Sequence, residues 1–261
     1  ARFLLGPAIA GTVIARKHCF SAFSMGMTMM GVDARRTCAM FNRIARHYDF
    51  ANRVLSCGVD LWWRRCMVRE LPPGDALDVL DLASGTGDVA LAVSRNRPGA
   101  RVVGCDIALE MLRIGRKKCR RTMVRFCGGD ATRLPFPAAS FDCVTMAFGL
   151  RNIPDRVGCL AEIRRVLRPG GRLLVLEFSL PRSRVIRWLY LAYFRRILPW
   201  LGGMISGERS AYQYLISSVQ AFPSVGAVTE TMEKGGFQTA TRQLTAGIAT
   251  LYVGSASQPR S

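Results

Sequence analysis

Clustered metal ligands are missing from this 261-residue chain, which has only two histidines and nine scattered cysteines without a C-x-x-C pair. Because structural zinc sites require four closely spaced cysteine or histidine ligands, we expect no metal centre. The odd, dispersed cysteines also argue against a disulfide framework and fit a reducing compartment best. Cys105 and Cys143 lie in apolar runs, where a reduced cysteine behaves as a small core residue.

Long apolar segments and acidic residues are also scarce. No uncharged run reaches the roughly 18 residues that a membrane-spanning helix requires. Only 18 acidic residues oppose 37 lysines and arginines, which gives a net charge of +19. This excess fits an anionic partner surface, and equally a proteome that uses arginine freely. The basic residues are not interleaved with aromatic residues and glycines as in RNA-binding segments, so nucleic acid is not an expected partner.

The amino-terminal segment differs from the rest, since residues 1–32 are basic and contain no acidic residue. It reads as a mitochondrial transit peptide, or as a non-native extension, because the methionine-rich stretch 25–30 offers later start sites. Either interpretation excludes it from the fold. We therefore expect a weakly ordered extension at 1–38, one domain at 39–256 and a tail at 257–261.

Strand and helix signals alternate after a Pro-Pro-Gly break at residues 72–74. This alternation predicts an α/β fold with a doubly wound, mostly parallel sheet, into which the aromatic segment at about 182–222 inserts a helical cap. The predicted strands are 79–83, 101–106, 123–127, 141–148, 172–178, 239–244 and 248–254, and the predicted helices include 41–49, 89–95, 109–119, 155–167 and 225–234.

A glycine-rich turn carries the strongest local signal. Residues 81–88 read DLASGTGD, follow a predicted strand and open a helix. Glycines at 85 and 87 let the backbone approach a ligand over a helix N-terminus. The pattern also matches a dinucleotide fingerprint, so by itself it leaves an NAD-dependent oxidoreductase open. No Lys-Ser/Thr pair follows the glycines, which argues against phosphate-transfer chemistry.

Three further elements follow in order along the chain. Asp106 ends the second strand, where an acid can accept both ribose hydroxyls of a nucleoside. Asp130 and Ala131 follow the third strand and could contact an adenine ring. An LRPGG segment at 167–171 stops a helix before the next strand.

Together these elements resemble the class I (Rossmann-like) S-adenosylmethionine methyltransferases. The resemblance implies that S-adenosylmethionine is the methyl donor and that it is bound by Gly85, Thr86, Gly87, Asp106, Asp130 and Ala131. Thr86 and Asp88 would then face the methionine end of the cofactor.

From Phe41 to Ser255 the chain resembles, almost end to end, the ubiquinone/menaquinone biosynthesis C-methyltransferase family (UbiE/MenG). The matching segments include MFNRIARHYD at 40–49, FGLRN at 148–152, LEFS at 176–179, SAYQYL at 210–215 and LTAGI at 244–248. One position departs from the family pattern, because Ala147 stands where a serine is usual and a hydroxyl contact is therefore lost.

The family resemblance implies C-methylation of a polyprenylated quinol, with demethylmenaquinol as the expected acceptor. The ubiquinol precursor 2-methoxy-6-polyprenyl-1,4-benzoquinol is the alternative acceptor. Arg151 would stabilise charge that develops on the quinol ring, and Asn152 would hydrogen-bond a ring oxygen. Tyr48 and Tyr212 would position the ring, although either could instead be a core aromatic residue.

A polyprenyl tail must leave the site through an apolar opening. The basic, aromatic segment 184–200 could lie at that opening on an anionic membrane surface, or pack inward as part of the cap. The implied location is the cytoplasm, peripheral at the inner face of the membrane, or the matrix side of the mitochondrial inner membrane. A homo-oligomer is compatible with the sequence. Another small-molecule methyltransferase and an assembly protein without turnover are the remaining alternatives.

Overall fold

The computed structural model describes residues 32–197 and 209–256 of the chain. The expected tail at 257–261, residues 1–31 of the expected extension and residues 198–208 of the cap lie outside the described residues. In the described ranges, no helix has the length and apolar character needed to cross a membrane.

Seven strands form one mixed sheet in the order β3-β2-β1-β4-β5-β7-β6. The first five are parallel, whereas β7 runs antiparallel to both of its neighbours. This confirms the expected α/β class and mostly parallel sheet. The strands are β1 (Asp78–Leu82), β2 (Arg101–Asp106), β3 (Arg125–Gly128), β4 (Phe141–Ala147), β5 (Leu167–Phe178), β6 (Phe237–Leu244) and β7 (Ala249–Ala256).

Strand β5 begins earlier than the sequence predicted. We expected residues 167–171 to form a stop before a strand that starts at residue 172. Instead, Leu167 pairs with Phe141 at the start of β4, and the register shifts between Phe141 and Cys143. The strand can contain the Pro-Gly-Gly segment because the hydrogen-bond ladder is interrupted at this bulge, so the N–H that proline lacks is not needed there.

The α-helices of the described ranges are α1 (Val32–Leu55), α2 (Val59–Arg69), α3 (Asp88–Asn96), α4 (Leu109–Lys118), α5 (Arg156–Val166), α6 (Arg184–Ala192), α7 (Arg209–Ala221) and α8 (Val225–Lys234). Helix α1 is much longer than the predicted 41–49, and it begins inside the segment that we assigned to the extension. Its buried Met40, Ile44 and Ala45 pack against Met111 of α4. Such tertiary packing extends a helix beyond its strongest local signal.

The sheet is covered on both faces by apolar residues, as a doubly wound fold requires. One face packs Leu80 and Val144 against Ile163 of α5, and the other packs Val79 and Cys143 against helices α2 and α3. Cys105 and Cys143 are fully buried, which confirms their expected place in the core.

Helix α1 lies across the edge of the sheet where the parallel strands end. Cys38 Sγ donates to the carbonyl of Ile107 at 3.5 Å, just beyond β2. The backbone N–H of Glu110 donates to Asn42 Oδ1 at 3.1 Å. Ligands of open α/β sheets bind at this carboxyl edge, so α1 forms one wall of the candidate site.

Candidate active site

The glycine turn after β1 adopts the backbone that its sequence predicts. Gly85 and Gly87 have φ angles of 54° and 78°, in the left-handed region that favours glycine. A Cβ at Gly87 would lie 2.7 Å from Phe126 Cζ, whereas a Cβ at Gly85 would project into open space. The turn therefore packs tightly on its inner side and exposes backbone on its outer side, which suits close approach of a ligand.

A buried carboxylate holds this turn from beneath. Asp81 accepts hydrogen bonds from Ser84 Oγ at 2.8 Å, Thr145 Oγ1 at 2.9 Å and the Ala90 backbone N–H at 3.1 Å. Burial raises the pKa of Asp81 to about 6, although these hydrogen bonds oppose the shift. Asp81, the first residue of the DLASGTGD segment, thus supports the turn from below and is not placed to contact a ligand.

We expect Asp81 to make the protein less stable as the pH rises from about 4 to about 6. In that range the native state retains a proton that the unfolded chain has released, because the pKa is raised from 3.8 to about 6 on folding. The full change corresponds to about 3 kcal/mol of unfolding free energy. Urea unfolding of wild type and Asp81→Asn between about pH 4 and about pH 7 measures it. Two stability curves that run parallel over this range would contradict the assignment.

Asp106 lies beside the turn, at the end of β2. Its carboxylate accepts from the Gly85 N–H at 2.7 Å and from the Ala108 N–H at 2.8 Å. Burial raises its pKa, and the backbone hydrogen bonds oppose this effect. A carboxylate has about four acceptor positions and the backbone N–H of Ile107 also contributes to this one, so Asp106 keeps the capacity to accept a further hydrogen bond, as from a ribose hydroxyl.

Asp130 occupies the next loop, after β3. Its Oδ1 accepts from both the backbone N–H and the hydroxyl of Thr132, each at 2.8 Å. These two bonds orient the carboxyl group, and Ala131 follows it, partly exposed. Asp106 and Asp130 therefore follow neighbouring strands β2 and β3 at the same edge of the sheet, as the sequence predicted.

A cluster of paired charges joins α1 and α2 to the glycine turn. Lys118 Nζ donates to Asp49 at 2.5 Å, to Asp88 at 2.7 Å and to Thr86 Oγ1 at 3.2 Å. Arg53 donates to Asp88 at 2.6 Å and also contacts Asp60. Thr86 donates its hydroxyl to Asp49. The hydroxyl that we expected at the methionine end of a cofactor is therefore held by α1.

Ion pairing controls the charge of Asp88, the first residue of α3. Burial alone would raise its pKa, but Arg64, Lys118 and Arg53 lower the pKa to about 2. Asp88 is thus a carboxylate at neutral pH. Since its oxygens already accept from Lys118 and Arg53, the structure gives Asp88 a structural role in the cluster.

An apolar cavity of about 210 Å³ opens next to this cluster. Phe148 and Phe178 lie 4.6 Å apart between ring centroids in its wall, and Trp63 packs on both rings at about 6 Å. Tyr48 lines the cavity from α1, with its ring in edge contact with Phe41. Such an aromatic wall with few polar groups is typical of pockets for flat apolar ligands.

Arg151 faces this cavity and is anchored by a buried acid that the sequence analysis did not assign. Its Nη1 donates to Glu177 Oε1 at 2.8 Å and to the carbonyl of Phe148 at 2.5 Å, and its backbone N–H donates to Glu177 Oε2. The Arg151 side chain is 5% exposed and that of Glu177 0%. The sequence offered one signal for this role: Glu177 is a single acid inside the apolar run of β5, and a buried charge needs a partner.

Asn152 and Tyr214 form part of the wall of a second cavity. Tyr214 Oη donates to Asn152 Oδ1 at 3.0 Å, which orients the amide. Both residues line an adjoining cavity of about 330 Å³ that shares Met40, Arg151 and Tyr214 with the first. The Tyr212 side chain lies outside what the structure describes, whereas Tyr214 on the same helix lines both cavities.

Metal ligands do not cluster in the described part of the chain, where no group of three His, Cys, Asp or Glu residues could hold an ion. The structure brings Tyr48 and Arg151 to the first cavity, Asn152 to the second, and the cofactor-binding candidates to the carboxyl edge beside them. The residues that sequence reasoning missed include Asp60, Trp63, Arg64, Glu177, Phe178 and Tyr214.

The model of the ubiE/COQ5 methyltransferase family matches residues 29–256 of the chain. A demethylmenaquinone methyltransferase from Thermus thermophilus is 49% identical over 217 residues, which cover 82% of this chain and 99% of that protein. One from Deinococcus radiodurans is 46% identical over 82% of this chain and 90% of its own length. A ubiquinone/menaquinone biosynthesis C-methyltransferase from Geobacter sulfurreducens is 43% identical, covering 91% and 95%.

Solved structures share the fold at low sequence identity. A methyltransferase in complex with the Trm112 activator of Haloferax volcanii superposes with a TM-score of 0.64 at 20% identity, covering 84% of this chain and 98% of that one. A Haemonchus contortus phosphoethanolamine N-methyltransferase in complex with S-adenosyl-L-methionine gives a TM-score of 0.57 at 16% identity, covering 75% and 52%. These similarities show the architecture alone.

Proposed function

The chain belongs to the ubiE/COQ5 methyltransferase family, and we propose that it transfers a methyl group from S-adenosylmethionine to a ring carbon of demethylmenaquinol. One observation carries the choice of acceptor: the 49% identity to a demethylmenaquinone methyltransferase that this chain spans almost completely. The aromatic cavity beside the glycine turn supports the same choice, since a quinol ring is flat and largely apolar.

The residues at the carboxyl edge fit the cofactor. Gly85, Thr86 and Gly87 would support the methionine portion, where open space above Gly85 leaves room for a ligand against the backbone. Asp106 would accept the ribose hydroxyls with its remaining acceptor positions. Asp130 and Ala131 would contact the adenine ring. When bound, the sulfonium cofactor supplies a methyl group that is already activated towards nucleophiles.

The cavity residues would prepare the acceptor ring. Tyr48, Phe148 and Phe178 would hold it in the orientation that an in-line transfer requires. A quinol carbon becomes more nucleophilic as negative charge develops on the neighbouring oxygen, and the Arg151 guanidinium would stabilise that charge. Arg151 does not itself accept a proton, because a guanidinium remains charged in proteins. Asn152, oriented by Tyr214, would hydrogen-bond a ring oxygen.

Purified protein incubated with labelled S-adenosylmethionine and reduced demethylmenaquinone tests the proposal. We expect the label in the ring methyl group of menaquinol, identified by mass spectrometry. The benzoquinol precursor of ubiquinone serves as the competing acceptor in a parallel reaction. Label in that product, with none in menaquinol, would overturn the assigned acceptor while leaving the methyl-transfer activity intact.

Helix α6 supports a membrane-facing role for the cap. Val185, Trp188 and Leu189 are 68%, 66% and 55% exposed and lie on one helix face by their spacing. Exposed Arg184 and Arg187 flank them. We infer that this face, the α6 face, lies on an anionic lipid surface, with the apolar side chains inserted and the arginines near the headgroups.

The α6 face lies close to the cavity, because Tyr190 on the opposite side of the same helix lines it. Tyr193, in the π-helical turn that follows, lines it too. A polyprenyl tail leaving the cavity past these tyrosines would enter the bilayer directly. This arrangement would let the enzyme act on a substrate that stays dissolved in lipid.

Replacing Trp188 and Leu189 by serine should weaken binding to phosphatidylglycerol vesicles at least tenfold. Each buried apolar side chain contributes about 1.5–3 kcal/mol, so losing both should exceed one tenfold step. Val157→Ser is the matched control, since Val157 is 70% exposed on α5, outside the α6 face. Sedimentation with vesicles measures the affinity. Equal binding of wild type and the double variant would contradict the proposal that the α6 face binds lipid.

A further inference from the structure

Arg64 on α2 is a buried arginine with hydrogen-bond donors left over. Its Nη1 donates to the carboxylate and the carbonyl oxygen of Asp60. Its Nε is buried and has no hydrogen-bond partner among residues 32–197 and 209–256. Its Nη2 lies 3.8 Å from Asp88 Oδ2, which is too far for a hydrogen bond. Unused donors on a buried charge are costly, and a bound anion would use them.

The neighbouring cations Lys118 and Arg53 have no buried donor that lacks a hydrogen-bond partner among the described residues. Lys118 Nζ makes three hydrogen bonds, to Asp49, Asp88 and Thr86, which use all three of its N–H donors. Both terminal nitrogens of Arg53 donate to carboxylates. Arg64 is therefore the cation of the cluster best able to bind a further carboxylate.

The position of Arg64 indicates which chemical group of a ligand it would bind. Arg64 is 6% exposed, lines the aromatic cavity, and stacks over the Phe148 ring with 5.5 Å from Cζ to the ring centroid. Its contact with Asp88 places it next to the first residue after Gly87. The methionine end of the cofactor would lie here, and it carries one carboxylate and one ammonium group. A neutral quinol offers no such permanent anion.

We propose that Arg64 binds the carboxylate of the methionine portion of the cofactor through its unused guanidinium donors. Asp60, 3% exposed, is paired to Arg64 and lines the same cavity, so it fixes the guanidinium and would balance the charge of the ammonium group. The proposal rests on the proposed function in needing an S-adenosyl cofactor, but not on the identity of the quinol. A planar guanidinium suits a carboxylate better than an ammonium does.

Calorimetric binding of two ligands isolates this contact. S-adenosylhomocysteine carries the carboxylate, and S-adenosyl-3-thiopropylamine is the same molecule without it. Wild type should bind the first at least tenfold more tightly, as expected for hydrogen bonds to a charged group. Arg64→Gln should reduce this preference to about twofold or less, mainly by weakening S-adenosylhomocysteine. Arg65→Gln, at the exposed neighbouring position, should keep the full preference.

Several results would contradict the proposed contact between Arg64 and the cofactor carboxylate. Equal affinity of wild type for the two ligands overturns the proposal whether or not the variant folds. A preference that persists in Arg64→Gln at full size also overturns it, as does a change in quinol KM alone. Failure of wild type to bind S-adenosylhomocysteine would instead refute the cofactor assignment of the proposed function.

Discussion

Truncation of Arg151 to alanine is expected to lower kcat about a hundredfold, with smaller changes in KM and in cofactor affinity. The guanidinium borders the aromatic cavity, where charge would develop on the quinol ring. Its stabilising interaction would be stronger in the transition state than in the bound substrate, so its loss falls on kcat. Preorganised contacts of this kind contribute roughly 3 kcal/mol.

The same substitution should also destabilise the protein, because it leaves Glu177 buried without its cation. Removing one partner of a buried ion pair costs about 3–5 kcal/mol. The Arg151→Lys variant separates the two effects. A lysine restores a positive charge to Glu177, so thermal stability should largely recover. An ammonium cannot reproduce the planar donor, so kcat should stay within about tenfold of the alanine variant.

Arg165 provides a matched control for anchoring alone. It pairs with Glu162 at 2.7 Å and donates to the carbonyls of Phe136 and Leu134, but it lies outside both cavities. Arg165→Ala should lower the melting temperature without a change in kcat. If Arg151→Lys regained kcat together with stability, Arg151 would be an anchor of the loop and not a catalytic residue. A well-folded Arg151→Ala enzyme with near-native kcat would lead to the same conclusion.

Replacing Asp106 by alanine should raise the dissociation constant of S-adenosylhomocysteine by on the order of tenfold or more. The variant loses the proposed acceptor for the ribose hydroxyls, a charge-assisted hydrogen bond. It also loses the acceptor for the N–H groups of Gly85 and Ala108, which hold the glycine turn against β2. Both losses weaken the cofactor site, and isothermal titration calorimetry measures the combined effect.

Asp142→Ala is the control for removing a strand carboxylate. Asp142 likewise accepts from a backbone N–H, that of Asp78 at 2.8 Å, but at the opposite end of the sheet. Its loss should reduce stability and leave cofactor affinity unchanged. A 2′-deoxy analogue of S-adenosylhomocysteine then tests the ribose contact directly, since wild type should discriminate against it and Asp106→Ala should not. Unchanged affinity for S-adenosylhomocysteine in a folded Asp106→Ala protein would show that Asp106 is not part of the cofactor site.

The sequence by itself determined the architecture and predicted which residues lie at the carboxyl edge of the sheet, where we propose that the cofactor binds. Strand periodicity and helix stops are local, and they predicted six of the seven strands to within about two residues; the start of β5 was the exception. The glycines at 85 and 87 and the acid at 106 were equally local signals, because a positive φ and a strand end each depend on neighbouring residues. The family resemblance added the expected reaction.

Tertiary structure alone decided which charges meet. Arg151 and Glu177 are 26 residues apart, and Lys118 and Asp49 are 69 apart, so no local pattern could pair them. The lengthened α1 and the antiparallel insertion of β7 between β5 and β6 were also settled by packing. An ion pair depends on position in space, whereas periodicity reports only neighbours along the chain. For that reason the pairs Arg151–Glu177 and Lys118–Asp49 became visible only in the folded protein, whereas Asp60 and Arg64, four residues apart on α2, form a pair that helical spacing alone indicates.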